Sequence, residues 1–136
     1  MSEPQRKTEM RAGAGGRAVH DVGGLDFGPI NRSEHDLALW EKRVDAMLVL
    51  LVGPRKGAFK VDALRRTIEA YGQQAYDATA YYEKWIRAIR NLLVEQDIVT
   101  RAEIEAKMAE VRAAMRHADR EVAPGDVPWT EMERPR

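Results

Sequence analysis

A chain of 136 residues has room for one modest domain, and its lack of cysteine excludes disulfides, thiolate metal sites and a cysteine nucleophile on this chain. The 22 basic and 22 acidic residues cancel to zero net charge, which removes any global electrostatic case for binding nucleic acid or a membrane surface. At 44% apolar and 32% charged the composition is that of a soluble globular protein, and the longest apolar run, Met47 to Val52, is far short of a membrane span.

Residues 1–19 mix charge with Gly and Ala without an apolar period, so they read as a flexible tail. This polar start lacks the apolar core of a signal peptide, and a cytoplasmic protein is expected. His20 to Asn31 carries the turn signals Gly23-Gly24 and Gly28-Pro29 together with the apolar Val22, Leu25, Phe27 and Ile30. It is expected to be a loop that wraps a surface. His20 beside Asp21 is too small a ligand set for a metal and reads as a hydrogen-bonded loop pair.

Ser33 is a plausible N-cap for a first helix from about Glu34 to Val52, with Leu37, Trp40, Val44, Met47, Leu48 and Leu51 on one face. Gly53-Pro54 stops it. The loop Pro54-Arg55-Lys56-Gly57 follows a helix and lacks the GxxxxGK[ST] pattern, so it is no phosphate cradle. A second, short helix is expected from Val61 to Tyr71, with Val61, Leu64, Ile68 and Tyr71 on its face and Gly72 at its end. Arg65 sits one step round from that stripe, where a surface arginine normally lays its stem over the core edge.

The third helix is the most strongly patterned. From Thr79, a candidate N-cap, to Leu93 the apolar positions Tyr82, Trp85 or Ile86, Ile89 and Leu92 or Leu93 recur at helical spacing. Tyr81 lies off that face, free to look toward a pocket or a partner. The helix fades near Gln96-Asp97. Thr100 and Glu103 then fit the capping box that opens a fourth helix. Its narrow stripe, Ile104, Met108, Val111 and Met115, suits packing on a partner. From residue 119 to 136 the period is lost, and a second tail is expected in which Trp129 is the one residue suited to docking.

The expected fold is therefore all-α, about four helices with an extended N-terminal wrapping loop, a domain at 20–118 and flexible tails at 1–19 and 119–136. His20, His35 and His117 have no ligand-like spacing, and paired carboxylates occur only as helix-surface charges. Composition and spacing stop at a soluble helical domain with apolar surface left over.

Four segments, in order, resemble the N-terminal part of the nitrile hydratase beta subunit. They are His20-Asp21-Val22-Gly23-Gly24 with Gly28-Pro29-Ile30-Asn31-Arg32; Trp40-Glu41-Lys42; Gly57-Ala58-Phe59 with Val61-Asp62 and Leu64-Arg65; and Tyr81-Tyr82-Glu83-Lys84-Trp85-Ile86, leading through Asp97-Ile98-Val99-Thr100 to Glu103-Ile104-Glu105. The resemblance implies a subunit of an enzyme that adds water to a nitrile and gives an amide. The metal, Co(III) or Fe(III), is then held by oxidised and unoxidised cysteines of a partner alpha-type subunit, and none is bound by this chain. Arg65 matches the family arginine that hydrogen-bonds those oxidised cysteines. Leu64, Tyr81 and Trp85 match positions that line the substrate pocket.

The family's longer members continue into a C-terminal barrel, whereas this sequence ends at Arg136. The implied arrangement is that of the three-subunit relatives, thiocyanate hydrolase and the toyocamycin type of nitrile hydratase, in which a further small subunit supplies the barrel. The serine or threonine usual before the second helix is Lys60 here. The alternatives are the matching subunit of a thiocyanate hydrolase, a maturation or activator protein without catalytic role, and a helical adaptor.

Overall fold

The computed structural model describes residues 18, 20–34 and 36–118. The expected tails, apart from Ala18, and with them Trp129, lie outside these residues, as does His35. The described elements are five helices: α1 (Leu39–Val52), α2 (Val61–Glu69), α3 (Gln73–Ala78), α4 (Tyr81–Glu95) and α5 (Arg101–His117). No strand occurs among the described residues, and no helix there is long and apolar enough to cross a membrane.

The centre is α4, on which α1 and α2 both pack. Its period places Ala88, Ile89 and Leu92 inward at 0–1% exposure. Val44 and Leu48 of α1, Phe59, Leu64 of α2 and Tyr71 complete the cluster, with Tyr82, Trp85, Ile86 and Leu93 packed against it. The polar groups taken inside are satisfied, as burial requires. The Tyr71 hydroxyl donates to the Lys84 carbonyl at 2.7 Å, and the Thr67 hydroxyl to the Ala63 carbonyl at 2.9 Å. Burial pushes the Tyr71 phenol well above its ordinary range, against the opposing pull of Arg87 and Arg90. It stays protonated and a donor at any working pH.

Four details differ from the sequence reading. The first helix starts at Leu39, not Glu34. The Asn31 side chain accepts the Ser33 amide at 2.9 Å, a local turn that diverts Ser33 from capping. The Glu41 carboxylate caps instead, accepting the Ala38 amide at 2.7 Å. Second, α1 carries charges at Glu41, Lys42, Arg43 and Asp45 but is apolar all round from Ala46 to Val52. Val44 and Leu48 point inward, while Trp40 and Met47, expected on the inner face, are 44% and 40% exposed. Third, α2 ends at Glu69, and Gly72 opens an unexpected short helix, α3. Fourth, Thr79 closes α3 and does not cap α4. Its hydroxyl donates back to the Ala75 carbonyl at 2.7 Å, and the cap of α4 is Ala80, whose amide donates to Glu83 at 2.9 Å.

The end of α4 comes where the sequence places it, at Gln96-Asp97. Asp97 takes a left-handed φ of 53°, a conformation that Asp tolerates better than most residues. Ile98 N–H then reaches the Leu93 carbonyl at 2.9 Å and Asp97 N–H the Val94 carbonyl at 3.1 Å, the paired bonds of a Schellman stop. Two residues later the expected capping box opens α5. Glu103 N–H donates to Thr100 Oγ1 at 3.2 Å, and Thr100 N–H donates to the Glu103 carboxylate at 2.7 Å.

No residue of α5 is buried, so this helix depends on its cap more than the others do. Thr100→Ala should destabilise it by about 1 kcal/mol, read as faster amide exchange in the first turn. The backbone and side-chain bonds from Thr100 hold the Glu103 carboxyl below its ordinary range. The stabilisation from the ionised carboxylate is therefore complete above the unfolded value and is lost as pH falls through the lowered folded value. Acidification across that range should lower the protection factors of the same amides, once the intrinsic pH dependence of exchange is divided out.

Candidate functional site

Tyr81, Tyr82 and Trp85 form a closed group of rings at the start of α4. The centroids lie 5.2 Å apart for Tyr81–Tyr82, 5.1 Å for Tyr81–Trp85 and 5.3 Å for Tyr82–Trp85. All three distances fall in the range of favourable ring pairs, with the edge-on and tilted geometries that aromatic quadrupoles prefer. Helical spacing brings them together: Tyr82 and Trp85 are three apart, Tyr81 and Trp85 four apart. Tyr82 and Trp85 rest on the core, whereas Tyr81 is 63% exposed, off the buried face as its register requires.

The neighbouring helix α2 carries Arg65. Its side chain is 71% exposed, and its ion pair with Asp62, one turn back, is long at 3.8 Å. A pair so exposed and so loose restrains the side chain little. The fork therefore stays available to a planar anionic partner, which arginine grips through two-pronged charged bonds. Leu64, one residue earlier, is 3% exposed and belongs to the chain's own core. The structure thus brings Tyr81 and Trp85 into contact, keeps Leu64 inside the core cluster on which Trp85 packs, and leaves Arg65 on the outside of α2 without direct polar or ring contact to the aromatic group.

Two features of this region escape a reading of the sequence. Tyr82 was expected only as core filling, and it joins the two other rings. Arg66 bridges α2 to the end of α4, one guanidinium nitrogen lying 2.9 and 3.1 Å from the two Glu95 carboxylate oxygens. The partners are 29 residues apart, so no local spacing rule reveals the pair. The ring group carries a signal, the consecutive tyrosines followed by tryptophan one turn on.

Among the described residues there is no group of three or more His, Cys, Asp or Glu that could hold a metal ion, and the sequence has no cysteine. The donor set of this chain does not fit a cysteine-ligated metal. What its own side chains offer is ring surface, a planar cationic fork and apolar packing. The apolar surface extends beyond the ring group: on α1, Leu39, Val49 and Leu50 are 64%, 61% and 72% exposed.

Residues 17–131 match the family profile for the N-terminal part of the nitrile hydratase beta subunit. Over 118 residues, 87% of this chain, the sequence is 30% identical to the nitrile hydratase subunit beta of Rhodococcus erythropolis, covering 52% of that protein. Over 97 residues, 71% of this chain, it is 31% identical to the thiocyanate hydrolase subunit beta of Thiobacillus thioparus, covering 60% of that protein. The chain thus spans about half to three fifths of the length of these relatives. A solved structure of the Thiobacillus thioparus thiocyanate hydrolase, a recombinant apo-enzyme, superposes with a TM-score of 0.68 at 28% identity, covering 92% of this chain and 78% of that one. With the family profile, the curated relatives and the superposition in agreement, this chain belongs to the nitrile hydratase beta subunit N-terminal family.

Proposed function

We propose that this chain is a beta-type, non-metal-binding subunit of a multi-subunit nitrile hydratase that hydrates a nitrile to an amide. It completes an active site around Co(III) or Fe(III) held by an alpha-type partner subunit. The observation that carries this reading is the solvent-facing pairing of Tyr81 with Trp85 on a helix packed directly against the one that bears Arg65, within a chain of this family.

Lewis acidity and water activation come with the metal when it is bound. The task of this chain is to shape and hold. Tyr81 and Trp85 present ring faces to the organic part of the nitrile, with Leu64 as the apolar backing beneath them. Arg65 extends its fork across the subunit interface to sulfur-bound oxygens of the partner's oxidised cysteines, in a charged contact that orients the partner's ligands from outside. The uncovered side chains of α1 and the stripe on α5 fit burial against those partners, since a small domain hides a lower share of its apolar surface by itself.

The matching subunit of a thiocyanate hydrolase is a second reading, favoured by the superposition on that enzyme over 92% of this chain. Both readings are tested by co-expression with the neighbouring genes and purification on a tag carried by this chain. A cysteine-rich chain loaded with cobalt or iron is the expected companion. Parallel assays with a nitrile and with thiocyanate then separate the two substrates. Recovery of this chain with no co-purifying partner would count against both.

The ring pair has its own test. Trp85→Ala should change which nitriles are accepted while subunit assembly and metal content persist. A variant that no longer assembles would mark Trp85 as packing alone.

A further inference from the structure

Within the ring group, Tyr82 and Trp85 are partly buried against the core and Tyr81 is exposed. Tyr82 packs against the hydrophobic core, whereas Tyr81 is 63% exposed and has no core contact to fix its rotamer. Tyr81 stands perpendicular to Tyr82, at an interplanar angle of 90°, and Trp85 meets Tyr82 at 62°. Tyr82 is therefore the common edge-on partner of both rings, while Tyr81 and Trp85 meet each other tilted at 45°. The phenol of Tyr82 also lies in the field of α1. Its titration is pushed up, first by partial burial and then by the Asp45 carboxylate, Tyr81 and the Glu41 carboxylate. Glu41 is itself fixed by its bond to the Ala38 amide. Tyr82 thus lies within reach of charges on the first turns of α1 as well as of the two rings.

From this arrangement we infer that Tyr82 is a positioning residue, setting the angle between Tyr81 and Trp85 and through it the shape of nitrile that the pair admits. The inference rests on the functional reading above for its substrate, but not for its ring geometry. Tyr82 touches no substrate.

The test compares Tyr82→Phe, which keeps the ring, with Tyr82→Leu, which keeps apolar bulk for the core and removes the ring. Near-ultraviolet circular dichroism of the full chain reads the coupling of the rings, with Trp85→Phe identifying the tryptophan contribution. In the assembled complex, KM and kcat are measured for benzonitrile and acetonitrile. Tyr82→Phe should match the wild type in both readouts. Tyr82→Leu should lose the coupled band and shift the benzonitrile-to-acetonitrile KM ratio by about fivefold, the scale of one lost ring pair, with kcat changed far less.

A folded Tyr82→Leu chain with the wild-type spectrum and the wild-type KM ratio would overturn the inference. If that variant does not fold, Tyr82→Trp serves in its place, because a longer ring must tilt its neighbours; an unchanged ratio there overturns the inference equally. A wild-type complex that hydrates no nitrile, together with loss of the coupled band in Tyr82→Leu, would remove the substrate reading and leave the positioning of the rings established.

Discussion

Arg65→Lys is expected to lower nitrile turnover by at least tenfold, equivalent to about 1.4 kcal/mol of transition-state stabilisation, without loss of fold. The isolated chain gives the substitution little to disturb. The Arg65 side chain is 71% exposed and its pair with Asp62 is 3.8 Å long, so circular dichroism and the melting temperature should stay near wild type. The cost arises in the assembly. Breaking one side of a desolvated charged contact typically costs about 2–5 kcal/mol, because the opposite charge is left unpaired. Lysine restores the charge but not the planar two-pronged geometry. A change in the charge-transfer absorption of the partner's metal should accompany the loss. Arg66→Lys is the comparison: its contact is with Glu95 on α4, and its effect should be confined to a small change in stability. Unchanged turnover and spectrum in Arg65→Lys would leave this chain a scaffold at that position.

The largest expected effect on stability is at Leu92. Its side chain is 0% exposed, between Ile89 and the residues of α1 and α2 that close over α4. Leu92→Ala removes buried methyl groups and leaves a cavity that two packed helices collapse into only partly. The expected loss is about 2–5 kcal/mol, read from the urea midpoint at constant m-value. For a domain of this size that is a large share of the total stability. Leu93→Ala, one residue along and only partly buried, should cost distinctly less. Equal losses at the two positions would contradict the inward register of α4.

The elements legible in the sequence are those with a strong local signal. The helix Tyr81–Glu95 has an apolar period over its whole length, and the box Thr100-Glu103 has two reciprocal partners three residues apart. Helix α3 was not legible, because Gln73-Gln74-Ala75-Tyr76-Asp77-Ala78 is too short to show a period. Ser33 and Thr79 have the right chemistry for capping. Which backbone group each one meets depends on the turns beside it, and those are set by Asn31 and by α3. On α1 the inner face was ambiguous, since Leu39, Val49 and Leu50 are as apolar as the buried Val44 and Leu48. At the candidate site, Tyr81 could be read as lying off the core face from its register alone. The role proposed for Arg65 could not: an exposed arginine beside an apolar stripe has no distinguishing local pattern, and the proposal rests on the resemblance to the family. The bridge from Arg66 to Glu95 exists only once α2 lies on α4.

The most direct measurement of the central claim is amide formation by the metal-loaded complex, reconstituted with and without this chain and supplied with a nitrile. The account predicts turnover with the chain present and a loss of at least tenfold without it. Equal rates in the two preparations, or a complete metal-loaded complex that converts thiocyanate and no nitrile, would contradict it.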